Sequence, residues 1–276
     1  MKYLYLILIF LVGCQTAVQY SDINDHIGCQ EGEIDKDGTC VPAELNNADT
    51  FQEVDVETRQ ITGTVTGYLA RPKQEGDYPG VVMIHEWWGL NDNIKDMAKQ
   101  LANEGYVVFA IDLYDGEVAE ESSKAREFAT SVRNNPEEAV KKMQNAVAYL
   151  KADSVEKVAS LGWCFGGQQS LQLSLDEELD ATVIYYGQLT DDQEELNNID
   201  WPVLGIFGAE DTSISVESVN NFESALDELG VKNDINIYPG VGHAFANPSG
   251  SNYAEEETKD AWEKTVNFLN NELKGG

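Results

Sequence analysis

The chain has 276 residues, 42% of them hydrophobic, which suits one large domain or two small ones with a full core. Against 49 acidic residues stand 18 basic ones, a formal net charge of −31. Such a field argues against nucleic acid and anionic lipid surfaces as partners, and it keeps a protein soluble in a saline habitat, where salt screens the self-repulsion.

At the start, Lys2 precedes an apolar run from Tyr3 to Val12. A membrane-spanning helix needs about 20 apolar residues, so this shorter run reads as the h-region of an export signal. The ending Leu11-Val12-Gly13-Cys14 resembles the lipobox of prokaryotic lipoproteins. That resemblance implies cleavage before Cys14 and lipid on its thiol; an ordinary secretory signal with an incidental cysteine is the alternative. Both predict export, with residues 1–13 as the signal. The lipid reading adds an anchor at the cell surface or periplasmic face of a prokaryotic membrane.

Residues 14–50 read as an acidic tether, and His26 within it has no evident task. Cys29 and Cys40 lie in "GCQEGEIDKDGTCVP", and outside the cytoplasm they are expected to close a small disulfide loop. Glu33, Asp35, Asp37, Gly38 and Glu44 also fall in the order of an EF-hand-like loop. Glutamate at its first position, the intruding Pro42 and the lack of flanking amphipathic helices argue against calcium. Cys164 is then left over, and an unpaired thiol in an exported protein calls for a reason.

Residues 51–276 form the folded domain. "RQITGTVTGYLARP" alternates like one strand ending at Pro72, and Val81 to Ile84 form the core of a buried strand. A helix follows in "NDNIKDMAKQLANEGY", with Ile94, Met97, Ala98 and Leu101 on one face and Gly105 as its stop. "YVVFAIDLYDG" is a strand. "AEESSKAREFATSVRNN" and "PEEAVKKMQNAVAYLKAD" are helices, the second opened by Pro136. Strand "KVASLGW" leads into helix "GGQQSLQLSL"; strands "ATVIYYG" and "WPVLGIFGAED" come next. Helix "SVESVNNFESALDELG", strand "DINIYPGVGH" and helix "YAEEETKDAWEKTVNFLNNEL" close the chain. Strands of near-continuous Val, Ile, Leu and Ala alternating with helices predict an α/β fold, a mostly parallel sheet covered on both faces.

In such sheets, sites gather at the carboxyl ends of the strands. Four strand ends carry chemistry: Glu86, Cys164, Asp211 and His243. Nucleophile, acid and base in this chain order follow the α/β-hydrolase pattern, with cysteine in place of serine. Gly162-Trp163-Cys164-Phe165-Gly166 has the form of a nucleophile elbow, in which a side chain two residues to either side of the nucleophile would clash. A helix N-terminus there favours a thiolate. The backbone N–H of Phe165, joined by that of Trp87, would form an oxyanion hole. His243 would move the proton, and Asp211 would orient the imidazole.

The set "IHEWWGLN", "FAIDLY", "LGWCFGG", "FGAEDTSI" and "PGVGHAFAN" resembles the dienelactone hydrolase family from about residue 55 to the end. The resemblance implies a single-domain α/β-hydrolase with little or no lid, nucleophile Cys164, acid Asp211 and base His243. It also implies that Glu86 holds the resting thiol protonated and accepts its proton when substrate arrives, which would protect the thiol from oxidation. One departure stands out. Family members that cleave dienelactones bind the substrate carboxylate with an arginine shortly after the histidine, where this chain has Asn247. For their second arginine only Arg126 and Arg133 are in reach. A neutral ester, lactone or thioester is therefore expected over a dienelactone, in a pocket drawing on Trp87, Trp88, Trp163, Phe165, Tyr114, Phe245 and Asn247.

Other readings compete at each position. Cys164 as a buried small hydrophobe leaves its flanking glycines unexplained. Asp211 also stands where it would cap the next helix, with Glu210 as the other acid in reach. Glu86 would otherwise be a solvated loop carboxylate, and His85 reads as a packed neighbour. The sequence has no zinc spacing, P-loop or complete dinucleotide fingerprint, so no cofactor is expected; a monomer is also expected. A non-catalytic binding protein on a hydrolase scaffold is the reading from another class.

Overall fold

A computed structural model of the chain describes residues 33–36, 39–42, 54–63 and 65–275. The chain divides into two compact units, Met1–Thr50 and Phe51–Gly276. The signal segment, Cys14 and Cys29 lie outside the described residues, and with them the lipid and disulfide expectations. In the first unit, strands β1 (Glu33–Lys36) and β2 (Thr39–Pro42) pair antiparallel, with Asp35 opposite Cys40.

The second unit is an eight-stranded sheet in the order β10-β9-β8-β7-β5-β6-β4-β3. Its strands are β3 (Val54–Thr62), β4 (Val65–Pro72), β5 (Gly80–Ile84), β6 (Val107–Asp112), β7 (Val158–Trp163), β8 (Ala181–Tyr185), β9 (Val203–Gly208) and β10 (Asn233–Tyr238). Only β4 runs against the others. The single strand expected over Arg59–Pro72 is thus two. The chain reverses between Thr62 and Val65, where Gly63 takes φ +52°, a conformation glycine adopts without a Cβ penalty. β3 forms an exposed edge bearing Glu57 and Arg59, charges that discourage further strand addition.

Strands β5 to β9 are buried along their whole length, as their unbroken apolar runs require. Helices α1 (Asp92–Asn103) and α7 (Glu255–Leu273) cover one face, with Ile94, Ala98, Leu101, Phe268 and Leu269 in the core. Helices α2 (Ser122–Arg133), α3 (Pro136–Ala152), α4 (Phe165–Asp176) and α6 (Val216–Leu229) contribute Ala129, Met143, Val147, Leu171 and Phe222 to the core on the other. A four-residue helix, α5 (Gln193–Leu196), was not expected; one turn is too short to show a 3.6-residue period.

Local chemistry sets the helix ends. The Asn91 side chain accepts the Ile94 N–H to cap α1, and Pro136 opens α3. Ser215, not Asp211, caps α6, accepting the Ser218 N–H at 3.1 Å. Gly230 ends that helix in the left-handed region.

Candidate active site

Cys164 sits between β7 and α4 with φ +55° and ψ −114°, a conformation that costs a non-glycine residue of order 1–3 kcal/mol. Its N–H is held by the Tyr185 carbonyl at 2.9 Å. The glycines around it are explained by contact. A Cβ on Gly162 would stand 2.1 Å from the Gly166 carbonyl oxygen, and one on Gly166 would stand 2.3 Å from that of Ile84. Strand, turn and helix approach too closely for any side chain at these two positions.

The loops after β9 and β10 bring Asp211 and His243 to the same point. His243 Nε2 lies 3.0 Å from Cys164 Sγ, and His243 Nδ1 lies 2.7 Å from Asp211 Oδ2. The other Asp211 oxygen accepts the N–H groups of Ser213 at 2.7 Å and Ile214 at 2.9 Å. Burial opposes ionisation of Asp211, but these three hydrogen bonds outweigh it and hold the carboxyl below its ordinary value. Burial also opposes the imidazolium. Hydrogen bonds to Asp211 and Cys164, with the negative charge of both, override it and push His243 up to about 10. Asn252 Nδ2 donates to the His243 carbonyl at 3.0 Å and steadies the loop. Neighbouring Glu210 is exposed, its backbone N–H on Val241.

Glu86, just beyond β5, is buried. Burial pushes its carboxyl up to about 7, against the lowering effects of His243's charge and a hydrogen bond from Asn247. That bond runs from Asn247 Nδ2 to Glu86 Oε2. Among the described residues Glu86 makes no side-chain hydrogen bond to Cys164, whose sulfur faces His243. Holding the thiol protonated would need a contact absent from this conformation. His85, fully buried, has its Nδ1 2.6 Å from the Glu86 carbonyl oxygen, and its Nε2 accepts the Leu113 N–H at 3.2 Å. Those partners place the proton on Nδ1, and burial lowers its pKa, so His85 is a neutral packing group.

The expected pocket residues separate into two groups. Trp87 and Trp88 are half-buried, their rings 5.0 Å apart. Tyr114 packs against His85, Phe128 and Phe165, and its buried hydroxyl has no partner. Phe165 is buried at the first position of α4, where its N–H has no acceptor within the helix. By contrast, Phe245 is fully buried between Tyr186 and Tyr238 in the α1/α7 core, so its ring lines no open surface. Trp163 packs on Tyr185 in the same core. Asn247 is buried with its amide committed to Glu86 rather than presented to a substrate. Of the two arginines, Arg133 reaches the site's rim, its Nε 2.8 Å from Gln168 Oε1 and its guanidinium 5.6 Å from the Phe165 ring centre. Arg126 is exposed.

One residue near the site escaped the sequence reading. Tyr186 follows β8 with φ +33°; its ring lies 5.4 Å from that of His243, and its buried hydroxyl is unpartnered. Its position at a strand's carboxyl end was the available signal.

Comparison with known proteins places the chain in a family. The model of the dienelactone hydrolase family matches residues 65–273. A Saccharolobus solfataricus protein described as "Putative carboxymethylenebutenolidase" is 31% identical over 242 residues, covering 74% of this chain and 93% of that protein. "Protein usf" of Aquifex pyrophilus is 34% identical over 215 residues, covering 74% and 92%. Among solved structures, a dienelactone hydrolase-like promiscuous phosphotriesterase from metagenomic libraries superposes with a TM-score of 0.73 at 23% identity, covering 81% of this chain and 99% of that one.

Proposed function

The chain belongs to the dienelactone hydrolase family, and on that footing we propose that it hydrolyses small esters or lactones through Cys164 as nucleophile. The observation that carries this reading is the continuous contact from Cys164 Sγ through the His243 ring to Asp211. A scaffold kept only for binding would have no need of that alignment.

The reaction follows from the geometry. The Cys164 thiolate attacks the acyl carbonyl carbon, forming a C–S bond as the carbonyl oxygen becomes an alkoxide. The N–H groups of Phe165 and Trp87 would receive that charge. Collapse breaks the ester C–O bond, and the leaving oxygen takes the proton of the His243 imidazolium. The product is a Cys164 thioester. Water then gives a proton to His243 and attacks the thioester, and C–S cleavage releases the acid and restores the thiolate–imidazolium pair. Asp211 remains ionised and steadies the imidazolium.

Tyr114, Trp87 and Arg133 would bound the acyl side. Because Asn247 is held by Glu86, neutral acyl groups fit this reading better than dienelactones. Intact-protein mass spectrometry after rapid mixing with p-nitrophenyl acetate tests it: one acetyl group, mapped to Cys164, is expected. An acetyl group on another residue, or turnover with no acylation in a trap that captures thioesters, contradicts it.

A further inference from the structure

Neither the Phe165 N–H, at the first position of α4, nor the Trp87 N–H, in the loop from β5 to α1, has a hydrogen-bond acceptor among the described residues. An α/β-hydrolase draws its oxyanion hole from these two places. The loop lies against the start of the helix: a Cβ on Gly166 would stand 2.3 Å from the Ile84 carbonyl oxygen and 2.5 Å from that of His85. Trp87 and Cys164 pack against the same core. The helix holds the Phe165 N–H in place, whereas the Trp87 N–H is on a loop and needs an anchor.

That anchor acts through the peptide bond. A trans peptide fixes its N–H opposite its carbonyl, so whatever holds the Glu86 carbonyl oxygen also aims the Trp87 N–H. Two donors hold it: His85 Nδ1 at 2.6 Å and the Gly89 N–H at 3.2 Å. His85 is itself fixed. Its Nε2 accepts the Leu113 N–H at 3.2 Å, which leaves the ring neutral with its one proton on Nδ1. The ring stacks on Phe165, with centroids 5.8 Å apart and planes at 21°, and meets Tyr114 edge-on at 4.6 Å. One buried imidazole thus joins the peptide of one donor to the side chain of the other. Resting on the hydrolase reading above, we propose that His85 is a positioning residue that aims and strengthens the Trp87 arm of the oxyanion hole. Its hydrogen bond draws electrons toward the Glu86 oxygen and polarises the N–H on the far side of that peptide. His85 transfers no proton. An alkoxide gains more from an aimed donor than an ester carbonyl does, so the effect falls on kcat rather than KM.

The test compares the wild type with His85→Leu, which keeps the bulk and loses the donor, and His85→Asn, whose amide nitrogen can stand near the place of Nδ1. With p-nitrophenyl acetate, His85→Leu should lower kcat by about 10- to 100-fold at nearly unchanged KM. With p-nitrophenyl cinnamate labelled at its carbonyl carbon, the C=O stretch of the Cys164 thioester should move to higher wavenumber in His85→Leu, because its oxygen accepts a weaker hydrogen bond. His85→Asn should recover part of both effects. A folded His85→Leu with wild-type kcat, or with an unmoved stretch, overturns the proposal. Nitrogen-15 spectra of the wild type need no variant: a proton on His85 Nδ1 is expected at neutral pH, and one on Nε2 overturns it. The two levels separate in the same experiment. A Cys164 thioester whose stretch ignores His85→Leu removes the His85 assignment alone, whereas failure to form any thioester on Cys164 removes the hydrolase reading and this proposal with it.

Discussion

Asn247 Nδ2 donates a hydrogen bond to Glu86 Oε2, joining two buried side chains 161 residues apart in the chain. The amide carries no charge, so it offsets only part of the burial that pushes Glu86 up to about 7. A group whose folded pKa is raised from 4.5 binds more protons in the folded than in the unfolded state between those values. Folding stability is therefore lost as pH rises from about 4.5 through 7. Glu86→Gln removes this penalty. The variant should gain on the order of 3 kcal/mol over wild type above neutrality and little near pH 4. Urea unfolding at both pH values checks it; an equal difference at both would contradict the buried, titrating carboxyl.

Asp211→Asn removes two of the effects that raise His243, a hydrogen-bonding carboxylate and its charge. His243, held up to about 10, should lose its proton at lower pH in the variant. The alkaline limb of the kcat/KM profile then moves acidward, and kcat falls by about 10²–10⁴-fold. The His243–Asp211 contact makes stability fall with rising pH as Glu86 does, but in a more alkaline window. Its contribution is full below the unfolded histidine value near 6.5 and is lost as pH rises through about 10. An alkaline limb that stays in place would contradict the assignment of Asp211.

Gly162→Ala forces a methyl group to within 2.1 Å of the Gly166 carbonyl oxygen, and the atom met is backbone. Relief requires the elbow to open, which displaces Cys164 from His243. The expected cost is about 2 kcal/mol or more, with loss of activity in whatever protein folds. A variant with wild-type melting temperature and rate would show that the turn is not sterically closed.

How much of this could be read in the sequence depends on the range of the interaction. The buried strands β5 to β9 and the amphipathic α1 were legible because burial on both faces, or on one, is written in local periodicity. The β3–β4 hairpin was not, because "RQITGTVTGYLARP" alternates straight through its turn and only Gly63 marks the reversal. At the site, Cys164, Asp211 and His243 were found from their strand-end positions, and the structure brings the three into contact. The partners of Asn247 and Phe245 could not be read, because which way a loop side chain turns is settled by neighbours distant in sequence. Both looked like pocket residues, and both turn inward.

For the amino-terminal segment we propose lipid attachment at Cys14, on the strength of Leu11-Val12-Gly13-Cys14 following the apolar run. Replacing Cys14 with Ala in cells should move the protein out of the membrane fraction and stop incorporation of labelled fatty acid. Unchanged fractionation would contradict a lipid anchor.

The central claim is that Cys164 is the nucleophile. Its most direct test is the rate of p-nitrophenyl acetate hydrolysis by Cys164→Ala, purified and shown by circular dichroism to be folded. A fall of at least about 10³-fold is expected, leaving the remainder to the oxyanion hole and binding. Hydrolysis by the folded variant at a rate close to wild type would contradict it.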